Sequence, residues 1–485
     1  PPKRISSASA LSAIILQSCQ NDMFGGQSFP SFDHDMAKYA KDHFDDDEET
    51  TFQAMEGLVY NLNSLYSRVG AQVPLSCINI GTDTTPWGRR ITRSLLRAIQ
   101  RGLGRGETPL FPQIIFKVKK GVNLNPSDPN YDLFQYAVEV ACRRMNPAFS
   151  FLDSPINSRL PEEVSYFPCG GRIGENHCGD AHTYGRGNLA IVSINLPRIA
   201  LRIGHNRSDF ILSSFFNELD RTLALAEEVL LHRFEVISHL KARELPFVIG
   251  QGLYQDSKNL GPDDDIEPAI KNGTLGIGFY GLAEALVILT GNTHATSEKS
   301  QKRGLEIVKY MRDHTDELSR KHDLNFVLLV PAGENLSGRF AREDFKIFGE
   351  VPGISEIGYY SNGFSIPGHL KLSALDKIKI ESGYHEYTNG GHHTFVELDG
   401  IPDDIKTVQQ IIEKMAESGI GYGGISFPLD ECVLCGSPRI VDGRCKDCGS
   451  KEIRGIRRVS TFLTPVQYLG KIQKKILEDR VPNEL

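Results

Sequence analysis

The sequence predicts an α/β protein with a largely parallel sheet, carrying a separate cysteine-rich module towards its C-terminus. Three observations lead there. Short apolar runs alternate with amphipathic stretches of helical length over roughly 400 residues, the order that builds strand–helix–strand units. Leu189 to Leu196 is almost wholly apolar, the pattern of a strand buried on both faces. From Asp430 the composition turns abruptly to cysteine and charge.

In chain order, residues 1–70 read as helical, with Ile5 to Leu16 rich in Ala, Ser and Leu, and the acidic patch from Asp45 to Glu49 as a solvated face or loop. Gln72 to Ile80 is a strand, followed by a polar loop from Gly81 to Arg90 and a helix from Ile91 to Arg101. Gln113 to Val118 is the next strand and Tyr131 to Arg144 the next helix. Phe210 to Lys241 has the spacing of a long amphipathic helix, with strands expected at Thr274–Phe279 and Phe326–Val330. Gly358 to Phe364, Asn389-Gly390-Gly391 and Gly419 to Gly424 mark places where the backbone bends or approaches something closely. The loops at Asn272-Gly273 and Gly333 to Gly338 read either as ordinary turns or as phosphate cradles built from backbone amides.

Composition narrows the class. With 40% hydrophobic and 24% charged residues the chain is globular, and a net charge of −7 argues against a general nucleic-acid binder. No apolar run approaches the roughly 18 residues of a membrane-spanning helix. The chain opens at Pro1 without a charged and apolar leader, so its natural start is expected upstream. Nine cysteines are an odd number, and four of them crowd together, which fits metal binding in a reducing compartment such as the cytoplasm.

Those four form the strongest local signal. Cys432-Val433-Leu434-Cys435-Gly436 is followed, nine residues after Cys435, by Cys445-Lys446-Asp447-Cys448-Gly449. Two such knuckles can close four thiolates around one zinc ion with no open position, a structural site rather than a catalytic one. The alternative is two unrelated pairs. Cys169, His177, Cys178 and His182 lie together in the Gly-rich stretch from Phe167 to Asn188. Three readings stand: a second metal site, a plain loop with incidental histidines, or a functional thiol at Cys169 on a loop tip.

Several segments in order carry a resemblance. They are Gly81-Thr82-Asp83-Thr84, Gly106-Glu107-Thr108-Pro109-Leu110-Phe111-Pro112 and Asp128-Pro129-Asn130-Tyr131-Asp132. Arg186-Gly187-Asn188-Leu189, running into Asn195-Leu196-Pro197-Arg198-Ile199-Ala200-Leu201, is the most specific. Glu334-Asn335-Leu336 with Arg339-Phe340, Gly358-Tyr359-Tyr360-Ser361-Asn362, Asn389-Gly390-Gly391 and Asp430-Glu431-Cys432 complete the series. Together they resemble the anaerobic, glycyl-radical ribonucleoside-triphosphate reductases. The resemblance implies a ten-stranded α/β barrel with a central finger loop over residues 1–428, a zinc ribbon at 429–452 and a radical-bearing tail at 453–485. It implies formation of deoxyribonucleoside triphosphates by a finger-loop thiyl radical that takes the substrate 3′-hydrogen. Cys169, in Phe-Pro-Cys-Gly-Gly-Arg, is the implied cysteine, with Cys178 as rival. The family more often places cysteine directly before the arginine, and in that register Gly171 holds its place. Asn188 matches the residue that positions formate as reductant.

The match breaks at the radical itself. The family's Arg-Val-x-Gly-Tyr-Leu reads Arg458-Val459-Ser460-Thr461-Phe462-Leu463 here, so Thr461 stands where the radical glycine belongs. A bare α-carbon flattens to hold the spin between amide and carbonyl, and a β-branched side chain resists that flattening. Gly455, six residues away, is one relocated position. The resemblance further implies nucleotide effectors, a homodimer and a radical-SAM activating enzyme that carries the SAM and iron–sulfur chemistry. It places the chain downstream of the family's ATP-binding cone and of a second active-site cysteine, for which Cys19 and Cys77 read as core residues instead. Two other functions compete: a catalytically degenerate nucleotide-binding homologue, which Thr461 favours, and a glycyl-radical lyase, which the ribbon and Asn195-Leu196-Pro197-Arg198 oppose.

Overall fold

A computed structural model of the protein describes residues 2–41, 47–160, 163–204 and 210–485. Its strands begin with β1 (Gln27–Phe29), β2 (Ser76–Ile80), β3 (Gln113–Val118), β4 (Ala148–Phe151), β5 (Ser165–Tyr166) and β6 (Arg172–Ile173). Next come β7 (Asn188–Asn195), β8 (Thr274–Tyr280), β9 (Asn325–Leu329), β10 (Thr394–Glu397) and β11 (Tyr422–Ser426). The last are β12 (Leu429–Cys432), β13 (Ile440–Val441), β14 (Arg444–Cys445), β15 (Ile453–Val459) and β16 (Phe462–Pro465).

β1 to β4 run parallel as neighbours, β4 pairs antiparallel with β11, and β11 pairs parallel with β10. The period of two sorts the side chains to two faces. Ile78, Ile80, Ile114, Phe116, Phe149 and Phe151 pack outward on helices that include Pro86–Arg101, Tyr131–Arg144 and Ile405–Ser418. Cys77, Ile115, Ala148, Phe395 and Tyr422 gather on the opposite, inner face with Tyr166. β7, β8 and β9 form a second parallel sheet, covered by the helices Phe210–Ser238, Leu282–Thr290 and Glu298–His322. A parallel bridge between Leu329 and Gly391 places β9 beside the approach to β10. The described residues therefore give a wall of nine strands ending at β1 and β7, and these sheets do not complete the ten-stranded barrel the resemblance implies.

Two local expectations shift for physical reasons. The helix expected from Ile91 starts at Pro86, because Thr85 accepts the Gly88 N–H at 3.2 Å and Pro86 fits a first helical turn. β7 is largely half-exposed rather than buried on both faces, since it is the edge of its sheet and pairs with β8 alone. Of the acidic patch, Asp45 and Asp46 lie outside the described residues, while Asp47 caps the helix Glu48–Ser64 by accepting the Thr50 N–H at 2.7 Å. Among the described residues no helix is long and apolar enough to cross a membrane.

Several of the quoted motifs prove to be clamps. Asn130 donates to the carbonyls of Gly81 and Asp83, tying two loops at one end of the sheet. Asp344, fully buried, accepts from Asn195 at 2.9 Å, from Tyr360 at 2.8 Å and from Arg198. β12 pairs with β15 and β15 with β16, so one small sheet joins the cysteine module to the tail. Leu429, Ile456 and Leu463 from that sheet enter the main apolar core.

Candidate active site

β5 and β6 form a short antiparallel ladder whose turn carries Phe167 to Gly171. Phe167 N–H donates to the Gly171 carbonyl at 2.8 Å and Gly170 N–H to the Phe167 carbonyl at 3.0 Å, closing a tight tip at which Gly170 has φ +78°. Arg172, buried, fixes the returning strand through Asn157 Oδ1 at 2.9 Å, the Ile156 carbonyl at 2.8 Å and the Asn389 carbonyl at 2.9 Å. Tyr166 anchors the outgoing strand through His392 at 2.9 Å. Gly391, at φ +144°, touches the turn from below: a side-chain carbon there would fall 2.6 Å from the Gly170 oxygen and 2.7 Å from the Gly171 Cα. Gly391→Ala is therefore expected to cost about 2–4 kcal/mol, from backbone strain and overpacking together. Urea unfolding checks it, and an unchanged midpoint would contradict the close approach.

Three residues singled out in the sequence meet at this turn. A side-chain carbon built on Gly171 would lie 3.3 Å from Cys169 Sγ and 3.2 Å from Asn188 Nδ2. One built on Gly170 would lie 3.2 Å from Thr461 Cγ2. The sulfur thus borders, from two residues upstream, the position that a side chain at 171 would take. Burial pushes the Cys169 thiol pKa up, against backbone hydrogen bonding that lowers it, so the group holds its hydrogen at neutral pH. Asn188 accepts from Thr274 Oγ1 through its carbonyl oxygen, which orients the amide. The loop ahead of Asn188 is held by Arg186, whose guanidinium donates to four backbone carbonyls, among them Asn272 at 2.7 Å and Gly174 at 3.0 Å.

Thr461 sits in the turn between β15 and β16, fully buried, beside Ser460 at φ +48°. Its carbonyl accepts from Gln113 Nε2 at 2.6 Å and Arg458 Nη1 at 2.8 Å. Ser460 contacts Glu334 and accepts from Asn362 at 2.8 Å. Gly455 lies mid-strand opposite Asp430, six residues or about 20 Å of extended chain from this turn. Cys178 donates to the Asp323 carbonyl at 3.2 Å, away from the contact at Gly170. His182 stacks on Tyr184, and His177 uses its backbone on Asn325, so the cluster of Cys169, His177, Cys178 and His182 does not assemble as a metal site. Asn272-Gly273 precedes β8 while Gly333 follows β9, which puts them at opposite ends of one sheet, and the loop expected from Gly333 to Gly338 is instead the first turn of a helix, Glu334–Phe348. Cys19 is core. Cys77 is core as expected, fully buried in the inner-face cluster, where its sulfur lies 3.2 Å from both Ser28 Oγ and the Tyr166 carbonyl. Strand parity alone would have revealed that face once the register was known.

The four cysteines of the C-terminal module converge. Cys432 and Cys448 Sγ are 3.5 Å apart, as are Cys435 and Cys445, and all four lie within 4.8 Å of one another. A zinc–sulfur bond of about 2.3 Å in a tetrahedron requires sulfurs about 3.8 Å apart, so the set fits that ion. Gly436 and Gly449, at φ +69° and +75°, return their N–H groups to Cys432 and Cys445 at 2.8 and 2.9 Å. The Cys448 backbone N–H helps pull the Cys445 thiol down to about 7, easing its conversion to the thiolate a metal takes. Gly436 also seats the module on the Arg105 carbonyl, which a side-chain carbon would meet at 2.2 Å. Chelation is expected to expose residues 432–450 to proteolysis while the sheets persist; an unchanged digestion pattern would contradict a structural metal.

A family profile described as anaerobic ribonucleoside-triphosphate reductase matches residues 1–482. The anaerobic ribonucleoside-triphosphate reductase of Salmonella typhimurium is 30% identical over 97% of this chain and 68% of its own length. That of Enterobacteria phage T4 is 30% identical over 95% of this chain and 80% of its own length. Among solved structures, the anaerobic ribonucleotide reductase from Thermotoga maritima in complex with dATP and CTP superposes with a TM-score of 0.71. It is 16% identical and is covered over 99% of this chain and 78% of that one.

Proposed function

Because the chain belongs to the anaerobic ribonucleoside-triphosphate reductase family, we propose that it reduces ribonucleoside triphosphates to deoxyribonucleoside triphosphates, with Cys169 as the hydrogen-atom-transferring thiol. The observation that carries this reading is that Cys169 Sγ and Asn188 Nδ2 lie 3.3 and 3.2 Å from the same point beside Gly171. Once a protein radical generated by the activating partner has taken its S–H hydrogen, Cys169 takes the 3′-hydrogen of the ribose and returns it after the 2′-hydroxyl departs as water. Formate is the two-electron reductant: ribonucleotide, formate and a proton give deoxyribonucleotide, carbon dioxide and water. Asn188 offers an amide N–H to the formate carboxylate beside the sugar. Zinc, held by Cys432, Cys435, Cys445 and Cys448, keeps the C-terminal module folded against Arg105 and takes no part in the reduction. SAM and an iron–sulfur cluster belong to an activating partner. Nucleotide effectors, a homodimer and closure of the wall into a ten-stranded barrel complete the reading.

A second reading rests on Thr461. Its methyl group occupies the contact with Gly170, where a radical glycine would leave space. In that reading the chain binds nucleotides without reducing them.

Anaerobic conversion of CTP to dCTP with activating enzyme, SAM and formate separates the two. Under the first, Cys169→Ala falls to background with nucleotide binding intact. Asn188→Ala raises the formate KM about tenfold, the loss of one hydrogen bond to a charged group. Turnover that survives Cys169→Ala sinks the assignment of the thiol, and absence of turnover in the parent chain with nucleotide binding retained leaves the degenerate reading.

A further inference from the structure

The outgoing strand of the finger is too short to fix its own position. β5 has two residues and pairs with β6. Among the described residues no backbone hydrogen bond joins residues 163–168 to the six-stranded sheet beside them. So short a ladder specifies register weakly, and a slip of one residue turns the side chains of a strand to the opposite face. Cys169 follows Tyr166 by three residues, so the direction of its sulfur depends on whatever holds β5 in place.

Side chains of the sheet supply that hold. Neighbouring parallel strands keep inner-face positions level, so Ser28 of β1, Cys77 and Asn79 of β2 and Lys117 of β3 share the face the finger enters. Asn79 is fully buried and binds the Tyr166 backbone at both ends. Its Oδ1 accepts the Tyr166 N–H at 3.2 Å, and its Nδ2 donates to the Tyr166 carbonyl at 3.1 Å. A side-chain amide offers the same donor and acceptor as a peptide unit, so Asn79 stands in for a missing strand partner. Its orientation is fixed, because Nδ2 also faces the Phe29 carbonyl at 3.1 Å, where an amide oxygen would find no donor. Ser28 Oγ donates to the same Tyr166 carbonyl at 2.9 Å.

A second hold lies three residues earlier. Glu163 accepts from Thr82 Oγ1 at 2.7 Å and pairs with Lys117 Nζ at 3.1 Å. Lys117 is fully buried, and an ammonium out of water is tolerated only beside such a partner. The ion pair therefore ties residue 163 to β3 while the amide ties residue 166 to β2.

We propose that Asn79 is a positioning residue for Cys169: its amide, supported by the Lys117–Glu163 pair, sets the register of β5 and so keeps the sulfur beside Gly171 and the Asn188 amide. The inference rests on the reading of Cys169 as the hydrogen-transferring thiol.

Iodoacetamide labelling of the full chain, followed peptide by peptide by mass spectrometry, tests this without requiring turnover. Cys142, buried in the outer core, reports any general loosening. Asn79→Leu keeps the side-chain size and removes both bonds to Tyr166. It is expected to speed alkylation of Cys169 about tenfold and to leave Cys142 unchanged. Ser28→Ala removes one bond to the same carbonyl and is expected to speed Cys169 about threefold; it decides the matter if Asn79→Leu does not fold. An unchanged Cys169 rate overturns the proposal. An equal rise at Cys142 overturns it too, by making Asn79 a support of the whole sheet. Turnover that survives Cys169→Ala is a separate failure: it removes the chemical role of the thiol, while the labelling ratio still reports what holds the finger.

Discussion

Thr461→Gly is expected to add an electron paramagnetic resonance doublet from a single α-hydrogen at position 461, where the parent chain has no glycine to store a spin. The experiment is anaerobic incubation with a radical-SAM activating enzyme and SAM. At position 461 the parent chain carries a Cβ with two substituents, which hinders the α-carbon from becoming planar between its amide and carbonyl. It also covers the α-hydrogen that the activator must remove. Glycine has neither obstacle. The variant should fold, because the change removes one methyl contact with Gly170 and leaves the carbonyl bonds to Gln113 and Arg458 in place. The effect is all or none rather than graded. A doublet from the parent chain would mean that another glycine stores the spin. Silence from both chains, with SAM cleavage confirmed, would remove the hairpin as a radical store and leave the nucleotide-binding homologue.

Glu431→Ala is expected to lower stability by about 3–5 kcal/mol, the range for removing one partner of a buried ion pair. Glu431 is 1% exposed, yet its carboxylate accepts from the Thr108 N–H and hydroxyl at 3.1 and 2.8 Å and from Arg454 Nε at 2.8 Å. Arg144 stands at 3.9 Å. Alanine would leave two guanidinium groups facing each other across an unpaired backbone N–H, at the seam where the cysteine module meets the loop Gly106 to Pro112. Glu431→Gln keeps an acceptor for Thr108 and should cost less. Urea unfolding with an unchanged slope measures both. A loss below about 1 kcal/mol for the alanine variant would mean that water reaches the seam and screens the charges.

This carboxylate also shows how much a sequence discloses. Glu431 was visible as part of Asp430-Glu431-Cys432 and Thr108 as part of Gly106 to Pro112, but their pairing spans more than 300 residues and no local pattern announces it. The elements with strong period or clear ends were legible: Gln113–Val118 and Tyr131–Arg144 form where the pattern places them. The start of the helix at Pro86 was hidden in a polar stretch, although Thr85-Pro86 is a cap signal that local chemistry alone explains. The burial of Leu189 to Leu196 was overstated, because apolar content reports what a strand tolerates and not how many neighbours it finds.

At the candidate site the same division holds. The sequence by itself determined the four-cysteine metal set, because two short knuckles with their glycines encode the geometry within a few residues. By ordered motifs it also determined the family and singled out Cys169, Asn188 and Thr461 as candidates. Only the tertiary structure decided that the Cys169 sulfur and the Asn188 amide both border Gly171 and that the Thr461 methyl lies beside Gly170. It alone set Cys77 at the foot of the finger and left Arg458 buried without a carboxylate partner. Those facts depend on strand register and on contacts between segments far apart in the chain. Register fixes which face a side chain takes, and long-range packing fixes what it meets there.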